Sequence, residues 1–148
     1  MRAELSVVEG STGRVLASVV ESSSSADGSS VLRLKADGLA ELVGEGYDFE
    51  EAFQVLRANL EKRGLLLLCN RFRRDALVTS MSRQMSGGLA CYLVRPRAGL
   101  DPEQVVECLG PADRSTVGTT SEAEVFIANW KSWFERPAPL RWIGRILR

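Results

Sequence analysis

The sequence contains no histidine, and that absence removes most enzyme templates at once. No Ser-His-Asp or Cys-His pair can be assembled, and no HExxH zinc helix is possible. A Ser-x-x-Lys arrangement is missing as well, since Leu32, Asn59 and Ala128 stand where the serine would precede Lys35, Lys62 and Lys131. Chemistry would have to rest on carboxylates, tyrosine, lysine or an unassisted cysteine. Cysteine is itself scarce. Cys69, Cys91 and Cys108 are odd in number, widely spaced and form no CxxC, which suits reduced thiols better than disulfides or a metal site. The expectation is no metal, no cofactor, and a protein that binds rather than catalyses.

Long hydrophobic runs are missing too. No apolar stretch approaches the ~20 residues that a membrane-spanning helix needs. The opening MRAELSVVEG carries Glu4 and no long apolar segment, unlike a signal peptide. These features predict a cytoplasmic protein without a transmembrane segment.

At 148 residues, with 45% hydrophobic and 26% charged residues, the chain has the make-up of an ordinary globular domain that can bury a core. Its net charge of zero hides alternating blocks. Residues 1–56 carry four basic and ten acidic side chains, and 57–97 carry nine basic and two acidic. Residues 98–135 carry two basic and seven acidic, and 136–148 carry four basic and none acidic. In the simpler reading, oppositely charged elements pack against each other. In the sharper one, a one-signed face steers a charged partner.

Residues 3–9 and 14–20 are rich in β-branched residues and flank GSTG, which predicts an antiparallel hairpin. Four consecutive serines and Asp27-Gly28 predict a flexible loop over 21–30. Alternation over 31–35 predicts a strand with Leu32 and Leu34 inward, and 39–46 reads as irregular. Phe49, Ala52, Phe53, Leu56 and Leu60 form one apolar stripe, so a helix is expected over 49–63. Asp48 with Glu51 supplies a capping-box-like start, and Gly64 stops it.

The apolar runs 65–69 and 89–94 read as two buried strands, expected to be neighbours in a central sheet, with Cys69 and Cys91 as small buried groups. Between them, 76–78 is a short strand. Thr79 or Ser80 caps a helical turn, Met81 to Met85, that Gly87-Gly88 ends; the two methionines are expected in the core. Further helices are predicted over 102–109, capped by Asp101 with Pro102 in its first turn, and over 122–135, opened by Ser121 with Glu124. Phe126, Trp130, Trp133 and Phe134 would give the last helix a buried aromatic stripe. Pro137 and Pro139 end it, and LRWIGRILR follows as a basic amphipathic tail with Arg141, Arg145 and Arg148 on its polar side.

The arginines carry the functional argument. Arg71, Arg73, Arg74 and Arg83, with Arg95 and Arg97, could converge at one rim of the sheet, where guanidinium forks take carboxylates or phosphates. A pI near 6.4 is poor for a dedicated nucleic-acid binder.

The stretch from Phe53 to Tyr92 resembles a family of small bacterial proteins without an assigned activity. The resemblance rests on Leu68-Cys69-Asn70, on Ser80-Met81-Ser82-Arg83-Gln84-Met85-Ser86-Gly87-Gly88 and on Ala90-Cys91-Tyr92, and extends weakly over 119–133. It covers about half the chain and departs from the family at Arg71-Phe72 and in the basic tail. It implies a bacterial cytosolic α+β protein and no particular reaction.

The sequence thus predicts one α+β domain over 1–136, a mainly antiparallel sheet of about five or six strands with three helices, and a tail over 137–148. The expected function is a non-enzymatic protein-binding module, such as an immunity or antitoxin-like inhibitor. Arg71, Arg73, Arg74 and Arg83 would form its face, and Arg141, Arg145 and Arg148 an accessory surface able to touch a membrane or partner. The alternative is a phosphate- or carboxylate-binding protein or small enzyme, with Asn70, Ser80, Ser82 and Arg83 forming an anion pocket in the 70–88 turn. Nucleic acid is the disfavoured partner.

Overall fold

A computed structural model of the protein describes residues 1–135. The predicted tail, with Arg141, Arg145 and Arg148, lies outside the described residues. Five strands, β1 (Arg2–Glu9), β2 (Val15–Ser24), β3 (Ser30–Ala36), β4 (Leu42–Gly46) and β5 (Leu65–Leu67), form an antiparallel sheet in the order β4-β3-β2-β1-β5. Along its central strands the pleat separates the two faces. Leu16, Val20, Leu32 and Leu34 are buried while Ala17, Glu21, Arg33 and Lys35 are exposed. That period-two pattern leaves one face to solvent and one to a helix.

The helix is α1 (Phe49–Glu61), which lays Ala52, Phe53, Leu56 and Leu60 against the sheet. Asp48 caps it as expected, its side chain accepting from the Glu51 amide at 2.9 Å. The close approach of α1 depends on Gly44 of β4. A Cβ there would stand 2.2 Å from the Ala52 carbonyl oxygen and 2.8 Å from the Leu56 Cβ.

A second, three-stranded antiparallel sheet holds β6 (Ala76–Leu77), β7 (Ala90–Leu93) and β8 (Val105–Glu107) in the order β6-β7-β8. With α2 (Ser80–Ser86) and α3 (Thr120–Glu135) this makes an α+β fold with three α-helices among the described residues. Among the described residues no helix is long and apolar enough to cross a membrane.

The two apolar runs are not neighbours: β5 pairs with β1 in the large sheet, and β7 with β6 and β8 in the small one. Burial sets the run's hydrophobicity, and it carries no information about which strand lies alongside. Between the runs the chain leaves the first sheet through a 3-10 turn, Asn70–Phe72, anchored by a bridge between Cys69 and Pro111. Phe72 then packs edge-on against Phe53, ring centroids 5.9 Å apart, and joins the two halves in one core.

Other expectations change as well. The helix predicted over 102–109 is a 3-10 turn, Pro102–Gln104, followed by β8. Asp101 caps the turn, but Val105 and Val106 pair with Tyr92 and Cys91, where their branched side chains favour a strand. The region 39–46 holds β4, and the serines up to Ser24 extend β2 because Ser30–Ala36 offers them a pairing partner. The α3 capping box is Thr119 with Glu122, not Ser121 with Glu124.

Candidate functional site

The stretch 70–88 is tied to the N-terminus of α1. Thr79 and Ser82 close a reciprocal capping box on α2, with the Ser82 amide donating to Thr79 Oγ1 at 3.1 Å and the Thr79 amide to Ser82 Oγ at 2.9 Å. Gly87 ends the helix in the left-handed region. The turn then docks: the Phe49 amide donates to the Gly87 carbonyl at 2.7 Å. A Cβ on Gly88, whose φ is +92°, would meet the Glu50 amide nitrogen at 2.3 Å.

Among the described residues, each predicted arginine has a partner within the fold. Arg71 is buried at 8% exposure and grips Glu50 with two bonds, Nε to Oε2 at 2.8 Å and Nη2 to Oε1 at 2.5 Å. Arg73 holds Asp75 with two bonds of 2.8 Å. Arg74 donates to the Ser115 carbonyl and stands 3.9 Å from Glu122. Arg83 forks onto Asp48 and lies over the Tyr47 ring, 4.9 Å from its centroid. Arg95 pairs with Asp101 at 3.1 Å, and Arg97 covers the Trp133 ring. Their partners are separate groups, and several of the pairings join the basic and acidic blocks.

The anion pocket expected in the turn is dispersed in the same way. Asn70 Nδ2 donates to the Glu107 carbonyl at 3.1 Å, Ser82 is used by the capping box, Ser80 is exposed, and Arg83 is held by Asp48.

Two features of the region were not anticipated. Met81 and Met85 are exposed at 70% and 82%, not in the core. The half-buried side of α2 carries Ser82, Arg83 and Ser86, which bond to the cap, to Asp48 and to the local backbone. That leaves the methionines facing out, on the side of α2 away from Arg83. The aromatic stripe of α3 is also only part core. Trp133 is buried, Phe126 and Phe134 are half-buried, and Trp130 spends its Nε1–H on the Ala98 carbonyl at 2.8 Å.

The second feature is a cleft of about 390 Å³ between α1, β6 and α3. Glu50, Gln54 and Arg57 line it from α1 and Arg71 from the 3-10 turn. Arg57 is 4% exposed, with Nη2 donating to the carbonyls of Gly118 at 2.7 Å and Phe72 at 3.3 Å. Burial and then the Arg71 charge push the Arg57 guanidinium below its ordinary value. For Arg71, burial works in the same direction but the Glu50 carboxylate outweighs it and raises the group. Arg71 is hydrogen-bonded to its counter-charge, whereas Arg57 has the Glu61 carboxylate 3.6 Å from its Nε and the Phe72 ring 4.9 Å from its Cζ. The sequence pattern singled out neither Glu50 nor Arg57. The available signal was their spacing, because both fall at helical steps from Phe53 and Leu60, on the buried side of α1.

The cysteines are buried apolar groups. Burial pushes the Cys69 thiol up to about 12, and Cys108 is raised by its hydrogen bond with Cys91 and by burial. A thiol held protonated and closed to solvent is a poor nucleophile.

Asp48 gives a pH test of the α2 docking. Burial alone would raise its carboxyl, but the Arg83 hydrogen bonds, the Glu51 amide and the Arg83 charge together lower it from 3.8. A depressed carboxyl contributes stability above its unfolded value and loses it as pH falls through the folded one. Asp48→Asn, which keeps a cap, is expected to cost about 1 kcal/mol at pH 6. Urea midpoints of the two proteins should converge as pH drops below 3.8. A gap that stays constant down to pH about 2 would rule out a charge effect.

No protein-family model matches the chain, and no curated protein matches it significantly.

Proposed function

We propose that this chain is a non-enzymatic protein-binding module that engages its partner through the outer face of α2. The observation behind this is the exposure of Met81 and Met85, one helical turn apart, on a helix that is capped at both ends and pinned to α1. Methionine is a pliable, polarisable contact residue, and it is enriched at the centres of interfaces. Fully burying each of these side chains against a partner is worth about 1.5–3 kcal/mol. The platform keeps the entropy cost of association low, since the helix is already ordered.

Arg83, alone among the predicted arginines, lies on this helix, and Asp48 and Tyr47 already engage it. The face is therefore uncharged, with Met81 and Met85 beside the exposed Ser80 and Gln84, and its partner would present an apolar pocket to the methionines. Affinity should change little with salt, unlike a nucleic-acid contact. An immunity or antitoxin-like inhibitor acting in a bacterial cytosol is one form of such a module. In that form the captured partner would be a toxin or enzyme that the chain suppresses.

The test compares wild type with Met81→Glu/Met85→Glu, first by capture from cell lysate and then by affinity measurement on any protein captured. Both side chains are exposed, so the melting temperature should not move. Affinity should fall by at least about 100-fold. A partner held equally by both proteins would remove this face from the proposal. Concentration-dependent self-association of wild type, abolished in the variant, would make the partner a second copy.

A further inference from the structure

The face of the five-stranded sheet turned away from α1 has an uncovered apolar stretch at its centre. β2 points Val15, Ala17 and Val19 outward; Val15 is 61% exposed, Ala17 is exposed and Val19 is half-buried. An antiparallel sheet with one solvated face ordinarily turns polar residues to water, and on the outward side of β2 the first of these is Glu21.

The strand register places polar groups evenly around that stretch. Glu4 of β1 and Lys35 of β3 stand directly opposite Val19, one on either side, each a strand spacing of about 4.8 Å away. Ser6 and Asp37 flank Ala17 in the same way, the Asp37 amide donating to the Ala17 carbonyl at 3.2 Å. Together these six residues border a shallow depression of about 430 Å³. Glu4 makes no ion pair among the described residues. Lys35 has Glu41 at 3.7 Å, but that carboxylate is hydrogen-bonded to Arg33 at 3.0 Å, so two cations share it.

We propose that this face joins two copies of the chain in a symmetric dimer, separate from the partner contact assigned to α2. An acid on one flank and a base on the other make the face complementary to itself. A twofold axis running along β2, midway between two facing sheets, brings Glu4 of each copy over Lys35 of the other, and Ser6 over Asp37. Val15, Ala17 and Val19 then close against their own counterparts, an apolar centre inside a charged rim. Arg2, Glu21 and Arg33 form the next row, beyond the apolar stretch, where the twist of the sheets carries the copies apart.

The test is sedimentation velocity of the whole chain at low salt, over about 10–500 µM. Wild type should pass from the 16.2 kDa monomer to a dimer across that range. Glu4→Lys alone, or Lys35→Glu alone, sets like charges against each other at two symmetric contacts and should weaken the dimer at least about tenfold. The double reversal Glu4→Lys/Lys35→Glu rebuilds both pairs and should recover it. Both positions are exposed, so the melting temperature should hold in all three variants. Met81→Glu/Met85→Glu should dimerise as wild type does, which separates this face from α2. Any one of four results overturns the proposal. These are a monomer throughout the range, single reversals without effect, a double reversal that stays monomeric, or a dimer lost in the methionine variant.

Discussion

Arg71→Met is expected to lower the free energy of unfolding by about 3–5 kcal/mol, the cost of stranding one member of a buried ion pair. Arg71 and Glu50 are both nearly closed to solvent, at 8% and 9% exposure, and two hydrogen bonds join them. Gln54 Nε2 adds a third bond to Glu50 Oε1 at 3.0 Å, so the carboxylate is held in place and cannot swing to water. The pair also has an architectural role. Glu50 opens the helix that covers the first sheet, while Arg71 sits in the turn whose amide bonds to the Cys108 carbonyl at 3.1 Å beside the second sheet. Removing the guanidinium leaves a buried negative charge at that junction. The double replacement Glu50→Leu/Arg71→Met should recover most of the loss, because an apolar pair of similar bulk does not have to be desolvated as ions. Urea unfolding of the two variants checks this. A single variant within about 1 kcal/mol of wild type would mean that water reaches the pair and screens it.

Gly44→Ala is the second large effect, about 3 kcal/mol or more. The penalty is steric. Its Cβ would lie 2.2 Å from the Ala52 carbonyl oxygen, 2.8 Å from the Leu56 Cβ and 2.9 Å from the Leu56 amide nitrogen. All are atoms of α1 close to its axis and none can rotate away, so the helix itself has to move off β4. Gly13→Ala provides the comparison. Gly13 has φ +72° with nothing within 4 Å of its Cβ position, so its cost is the left-handed backbone alone, about 1–2 kcal/mol. Equal losses at the two positions would argue against close helix packing at Gly44.

Local chemistry was legible where it acts within a few residues. The apolar stripe of α1, its Asp48 cap, the first hairpin, the inward Leu32 and Leu34 and the Gly87 stop on α2 all appear as the sequence predicts. Helix caps and period-two alternation depend on neighbours in the chain, and one sequence contains both partners. The region 102–109 shows the limit. Its Asp-Pro start is a helix signal, and the signal is obeyed for one turn. A strand then follows because β7 lies alongside to pair with it.

The site was less legible. A cluster of arginines in sequence says how much positive charge is present but not where each acid will stand. Glu50 is 21 residues from Arg71, and Asp48 is 35 from Arg83. The methionines were misplaced for a related reason: an i, i+4 pair marks a face of a helix but does not say which way the face points. The half-buried Ser82, Arg83 and Ser86 decide that, by bonding to groups on and beside the helix.

By itself, then, the sequence determined the α+β class and the strand and helix chemistry of most elements. Those properties follow from composition and short-range periodicity. Tertiary structure alone decided that the two apolar runs belong to different sheets, that Arg71, Arg73, Arg83 and Arg95 each meet an acid, and that Arg57 is buried beside Glu61. Each of these turns on which distant groups meet when the core closes. Long-range pairing is chosen by the total packing and by the satisfaction of buried polar groups, which no local pattern encodes.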